Sequence, residues 1–213
     1  MKRPVAVLVH GMGRTPLSMA LLALRLRRAG FDVALYGYSP TVERLDACLQ
    51  RLARFLARRV GDRPYIAVGH SLGTVLLRCV LPQMAHAPAL FFLLAPPVQA
   101  CAIARRAAPL LPYRLFTGEM GQRLADPHFM RSVPVPSCPA VVYAGTAGPR
   151  ARWLPAGDEQ NDGILKVSET VLAGAALVRV PALHTFLMNS RAVWPDLIGR
   201  ARAALAAGPA AAP

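Results

Sequence analysis

The chain has 213 residues, with 25 basic against 11 acidic side chains and a net charge of +14. Hydrophobic residues make up 54% and charged residues 17%, which excludes wholesale disorder, and no apolar run approaches the roughly 20 residues needed to cross a bilayer. That length suits one α/β domain, residues 1–207, with little room for a second.

The charge by itself names no partner. Of the 25 basic residues only Lys2 and Lys166 are lysine, and the arginines are scattered along helical stretches without aromatic interleaving. A nucleic-acid binder would carry a basic stripe on a recognisable module, so no nucleic acid is expected. Weak attraction to an anionic membrane surface stays open where Arg27 and Arg28 follow the apolar stretch 21–26. A solvated basic surface is the favoured reading. Val5 to Val9 is too short for the apolar core of a signal peptide, so an uncleaved cytoplasmic chain is expected. Cys48, Cys79, Cys101 and Cys138 form no CxxC pair and have no histidine at metal-ligand spacing; they read as free thiols, with no metal site.

Short β-branched runs alternate with amphipathic stretches, the pattern of βαβ units on a parallel sheet. Residues 5–9 are the first strand. A helix follows over 16–29, with proline near its start and Gly30 past its end. Residues 31–36 form the second strand. Ser39-Pro40 opens a helix whose stripe Val42, Leu45, Leu49, Leu52, Leu56 keeps three-and-four spacing, with Arg58 and Arg59 at its negative end and Gly61 closing it. Strand three is 65–68 and the next helix 72–84. Residues 89–94 form strand four, whose continuous apolar run Phe91-Phe92-Leu93-Leu94 suits a sheet covered on both faces. Strand five is 140–144, strand six 176–180, and the last helix 195–207, followed by a flexible tail, 208–213. Residues 96–138 show helix-like pieces, many prolines and no strand. That is too long for a plain loop, and reads as either a cap over a site or a helical excursion at the sheet edge.

Gly69-His70-Ser71-Leu72-Gly73 is a GxSxG pentapeptide placed directly after strand three and directly before a helix. A serine on so sharp a turn presents its hydroxyl outward, and Gly69 and Gly73 leave the room that strand and helix need to avoid collision. A serine hydroxyl needs a base, itself oriented by a third group. Reactive groups collect at the carboxyl ends of parallel strands, and His184, just after strand six, lies at such an end as Ser71 does. His70 sits inside the turn, where its side chain should point away from the nucleophile; His86 and His128 lie elsewhere. The acid is expected on the loop after strand five, which carries Asp158, Glu159 and Asp162. Asp162 is preferred because Gly163 turns the chain and Ile164-Leu165 anchor it, while its neighbours look solvated. It would accept the other imidazole N–H and fix the tautomer. An oxyanion requires two donors: the Leu72 N–H, and the Met12 N–H from the loop His10-Gly11-Met12-Gly13 after strand one.

These residues resemble the α/β-hydrolase superfamily, in particular small bacterial lipases and esterases. Asn161-Asp162-Gly163-Ile164, Val180-Pro181 and His184-Thr185-Phe186 look like the lipase group related to glycosylphosphatidylinositol inositol-deacylases. The resemblance implies a minimal α/β-hydrolase fold, a six-stranded mostly parallel sheet with helices on both faces and without the first two strands of larger members. It also implies Ser71, Asp162 and His184 as a catalytic triad, Met12 and Leu72 as the oxyanion hole, and acyl-enzyme chemistry with no metal or cofactor. Related chains often carry Gly-Ser soon after strand four, where Ala100-Cys101 stand here. The expected activity is hydrolysis of a small-molecule or lipid-like carboxylic ester. A thioesterase or amidase on the same residues, or a catalytically silent binding protein with this fold, remain alternatives.

Overall fold

In the computed structural model, which describes residues 3–154 and 156–208, the apolar runs become six strands. They are β1 Val5–Val9, β2 Asp32–Tyr36, β3 Tyr65–His70, β4 Leu90–Leu94, β5 Ala140–Gly145 and β6 Ala176–Val180. Every pairing between them is parallel, in the order β2-β1-β3-β4-β5-β6. All residues of β1, β3 and β4 are buried, as unalternating Val, Ile, Leu and Phe runs demand. The edge strand β6 instead exposes Ala176 and Arg179.

Strand order reverses beside β1: the chain passes to β2 on one side and returns to β3 on the other. Right-handed crossovers therefore place α1 (Ala20–Arg28) and α2 (Leu45–Val60) on opposite faces. Helix α7 (Trp194–Ala207) packs with α1, and α3 (Leu72–Val80) with α2. The connections leaving β1 and β3 flank the point of reversal, where an open parallel sheet leaves a crevice at its carboxyl edge.

Several helix boundaries differ from the sequence expectation. The helix expected over 16–29 begins as a 3-10 turn at Pro16–Met19 before α1, and Leu22, Ala23 and Leu26 are core residues. Of the apolar stretch before Arg27 and Arg28, these three face inward, while Leu21 and Leu24 are 44% and 40% exposed. Helix α2 starts at Leu45 rather than at Ser39-Pro40, and Val42 is 82% exposed. A carboxylate far along the chain sets that start: Leu45 N–H donates to Glu119 Oε2 at 3.4 Å. Helix α3 ends at Val80 and a 3-10 turn containing Pro82 finishes the segment.

Between β4 and β5 the chain forms α4 (Ala102–Ala107), α5 (Leu111–Ala125) and α6 (Pro127–Ser132). Helix α5 breaks at Gly118, whose φ of 57° lets its backbone lie against the β2–α2 connection; a Cβ there would stand 2.6 Å from Pro40 O. Thr41 Oγ1 donates to Phe116 O at 2.7 Å on the same junction. At the other end, Glu169 Oε1 accepts from Ala102 N–H at 2.6 Å and anchors α4 to the β5–β6 connection. Of the expected tail, residues 209–213 lie outside the described residues. No helix among the described residues is long and apolar enough to cross a membrane.

Candidate active site

Strand β3 runs through His70 and turns at Ser71 directly into α3. Ser71 has φ 50° and ψ −122°, a sparsely populated conformation for a residue with a Cβ. The turn is held by Ser71 N–H donating to Leu94 O at 2.9 Å and by Thr74 Oγ1 donating to Ser71 O at 2.7 Å. Only glycine fits at its two shoulders. A Cβ on Gly69 would stand 2.8 Å from Thr74 Cα, and one on Gly73 would strike the backbone of Val9 and His10. The second contact ties the start of α3 to the loop after β1.

That loop lies against the serine: a Cβ on Gly11 would come 3.0 Å from Ser71 Cβ. His10 is fully buried and stacks on Tyr38 with ring centroids 4.3 Å apart. His10 Nδ1–H donates to Gly11 O at 2.9 Å, and Tyr38 O–H donates to His10 O, also at 2.9 Å. Burial lowers the pKa of His10 and favours the neutral ring. In a trans peptide, C=O and N–H point in opposite directions. The bond that holds Gly11 O therefore also fixes the direction of Met12 N–H. Among the described residues neither Met12 N–H nor Leu72 N–H donates a hydrogen bond to the protein, and Leu72 N–H lies at the positive end of α3.

Asp162 and His184 are brought together from either side of β6. Asp162 Oδ1 accepts from the N–H groups of Ile164 and Leu165 at 2.9 and 2.7 Å. Its Oδ2 accepts from His184 Nδ1–H at 2.7 Å, and Asp162 O accepts from His184 N–H at 2.8 Å. Both side chains are buried, at 1% and 8% exposure, so this is a charge-assisted bond shielded from water. It places the imidazole proton on Nδ1 and leaves the Nε2 lone pair free to accept. Ser71 Oγ makes no hydrogen bond among the described residues; Ser71 and His184 follow the carboxyl ends of β3 and β6 respectively.

The alternatives fall away from the site. Asp158 is exposed and faces Arg152 at 3.6 Å; Glu159 accepts from Ser168 N–H at 3.1 Å and faces Lys166. His86 Nε2–H donates to Gly61 O at 2.8 Å, at the far end of the sheet, and His128 is exposed beside Arg131. All four cysteines are free, and burial pushes the thiols of Cys48, Cys101 and Cys138 up to about 11. No group of three or more metal-ligating side chains occurs among the described residues. A cleft of about 450 Å³ lies by Tyr65 and His86, at the opposite end of β3 from Ser71, and is lined by neither Ser71, Asp162 nor His184.

Sequence reasoning underrated two side chains. His70 reaches His184: its Nε2–H donates to His184 O at 2.9 Å and the rings lie 4.9 Å apart. Arg14 donates to Thr185 Oγ1 at 2.8 Å, tying the loop after β1 to the turn that carries His184. A position immediately before Ser71, and one immediately after Gly13, were the only hints in the sequence.

The doubly flanked parallel sheet with its serine turn defines a hydrolase scaffold, and the chain belongs to the alpha/beta hydrolase family, whose profile matches residues 6–212. Mature lipase BlEst2 of Bacillus licheniformis superposes with a TM-score of 0.70 at 17% identity, over 93% of this chain and 92% of that one. A carboxylesterase structure from the thaumarchaeon Nitrososphaera gargenis gives 0.64 at 12% identity, covering 97% and 92%. Tomato methylketone synthase I, in complex with 2-tridecanone, gives 0.66 at 14% identity, covering 95% and 99%. Likeness at these identities is likeness of fold. No curated protein matches the chain by sequence.

Proposed function

We propose that this protein is a serine hydrolase that cleaves carboxylic esters of small or lipid-like molecules through an acyl-enzyme on Ser71. The observation that carries the reading is the buried Asp162–His184 bond of 2.7 Å, which holds the imidazole in the tautomer able to accept a proton at Nε2. The strained Ser71 turn on the same rim and the lipase and carboxylesterase neighbours in fold support it.

In the proposed reaction His184 Nε2 takes the Ser71 proton as Oγ attacks the ester carbonyl. The N–H groups of Met12 and Leu72 stabilise the oxyanion, and Asp162 stabilises the imidazolium. The imidazolium then returns its proton to the departing alcohol, leaving the acyl group on Ser71. Water, deprotonated by His184, attacks this acyl-enzyme and releases the acid. No step calls on a metal or cofactor. Asn161-Asp162-Gly163-Ile164 supports placing the chain near the deacylase-like lipases, and the helical segment 96–138 would act as a cap that shapes the acyl site. The four free thiols suit a cytoplasmic setting.

The test is turnover of p-nitrophenyl esters, with Ser71→Ala lowering kcat by about 10⁶ if the triad acts as a unit. A fluorophosphonate probe should label Ser71. Undiminished turnover in Ser71→Ala would overturn the assignment, and a folded protein that the probe never labels would instead be a silent binding module. Faster cleavage of thioesters or amides than of matched esters would move the substrate class while keeping the same residues.

A further inference from the structure

We propose that the exposed face formed by α4 and the first half of α5 docks the protein on an anionic lipid bilayer. In most of α5 the apolar side chains go inward, as with Met120 and Leu124, but the segment 110–116 turns its apolar residues out. Leu110, Leu111, Leu115 and Phe116 are 58 to 68% exposed. Leu111 and Leu115, one helical turn apart, share a face. The segment is tied down rather than loose: Thr117 Oγ1 donates to Tyr113 O at 2.7 Å, Tyr113 O–H to Gly121 O at 3.3 Å, and Thr41 Oγ1 to Phe116 O at 2.7 Å. Its leucines are thus held outward by the fold.

The charges beside them identify the occupant. Arg105, Arg106 and Arg114 are exposed, and none forms an ion pair among the described residues. No acidic residue occurs between Asp62 and Glu119, so α4 and the first half of α5 themselves contribute only positive charge. A second copy of the chain would bring these arginines against their own images, on a molecule already at +14. An anionic bilayer satisfies both features together, with headgroup phosphates at the arginines and acyl chains around the leucines. The face also reaches the loop after β1, since the Phe116 ring would stand 3.2 Å from a Cβ on Gly13, and Gly11 of the same loop lies against Ser71. Docked in this way, the loop after β1 beside Ser71 would lie near the bilayer and the esters dissolved in it, a consequence that rests on the esterase reading, whereas docking itself does not.

The experiment is co-sedimentation of the full chain with vesicles of phosphatidylcholine alone or with about one-third phosphatidylglycerol, at low and high salt. Selective binding to the anionic vesicles is expected, with Ser71→Ala binding as the unaltered protein does. The pair Leu111→Asp/Leu115→Asp and the pair Arg105→Glu/Arg106→Glu should each weaken binding at least tenfold, since one arginine near such a surface contributes roughly fivefold. Thermal melts of both pairs should match that of the unaltered protein, which separates lost docking from lost folding. Equal binding to neutral vesicles would overturn the proposal, since charge would then play no part, and anionic binding that neither pair weakens would overturn it and leave only diffuse attraction by net charge. Failure to bind any vesicle would overturn it as well, and capture of an acidic protein in place of vesicles would assign the face to that partner. Because Ser71→Ala reports on chemistry and the vesicles on docking, each reading can fail alone.

Discussion

His70, the residue before Ser71, donates from Nε2 to the backbone carbonyl of His184 at 2.9 Å, so the end of β3 grips the turn that follows β6 across the width of two strands. The grip has a cost, because His70 Nδ1 is buried with no partner among the described residues, a loss of about 1–3 kcal/mol for such a group. We propose that a side chain held on those terms positions His184, the proposed base. His70→Leu should lower kcat for p-nitrophenyl esters by roughly 10- to 100-fold with KM nearly unchanged, as expected when a reacting group shifts by about an ångström. His70→Gln, whose amide can donate to the same carbonyl, should recover most of that loss. If both variants melt alike and neither loses turnover, the contact serves stability alone.

Two buried imidazoles set a pH dependence of folding. Burial is the largest cause lowering the pKa of both His10 and His70 from the ordinary 6.5, and the neighbouring His184 adds to it at His70. The folded state holds these rings neutral, while the unfolded chain takes up protons near 6.5. Their stabilisation is therefore complete above about pH 6.5 and is lost as pH falls below it. Urea midpoints should be lower at pH 5 than at pH 7.5, and His70→Gln should narrow the gap. A midpoint that does not move between these pH values would contradict this.

What the sequence could disclose depended on distance along the chain. The Ser71 turn needs only a strand, two glycines and a helix start within a few residues, so its pattern is local and legible. Asp162 was legible for the same reason, since its carboxylate is held by the N–H groups of Ile164 and Leu165 immediately after it. Features fixed by remote partners were not. The start of α2 depends on Glu119, and the order of α4 and α5 depends on Glu169 and on Gly118 lying against Pro40. The grip of His70 on His184 likewise joins residues 114 positions apart. No periodicity encodes such pairs.

Asp162→Asn separates orientation of the base from folding of its loop. An asparagine carbonyl can still accept from Ile164 and Leu165 N–H, which keeps the turn, while its amide would then face His184 Nδ1 as a donor. The imidazole would have to carry its proton on Nε2, the wrong tautomer for taking a proton from Ser71. Turnover should fall by about 10⁴, with a much smaller change in melting temperature. Steady-state kinetics beside a thermal melt would check this, and a kcat within tenfold of the unaltered enzyme would remove Asp162 from the proposed triad.

Gly118→Ala tests whether segment 96–138 shapes the acyl site. The new Cβ would meet Pro40 O at 2.6 Å and Thr41 O at 2.7 Å, at a backbone φ of 57° that alanine adopts only under strain. The cost of about 1–3 kcal/mol falls on the junction between α5 and the β2–α2 connection rather than on the sheet. Amide exchange, followed by mass spectrometry, should quicken in 111–125 and remain slow in β3 and β4, which are buried throughout. If the segment forms the acyl site, KM for long-chain esters should rise several-fold while turnover of acetate esters changes little. An equal loss for short and long esters would mean that the junction supports the Ser71 rim itself, because the same segment reaches Gly13 through Phe116.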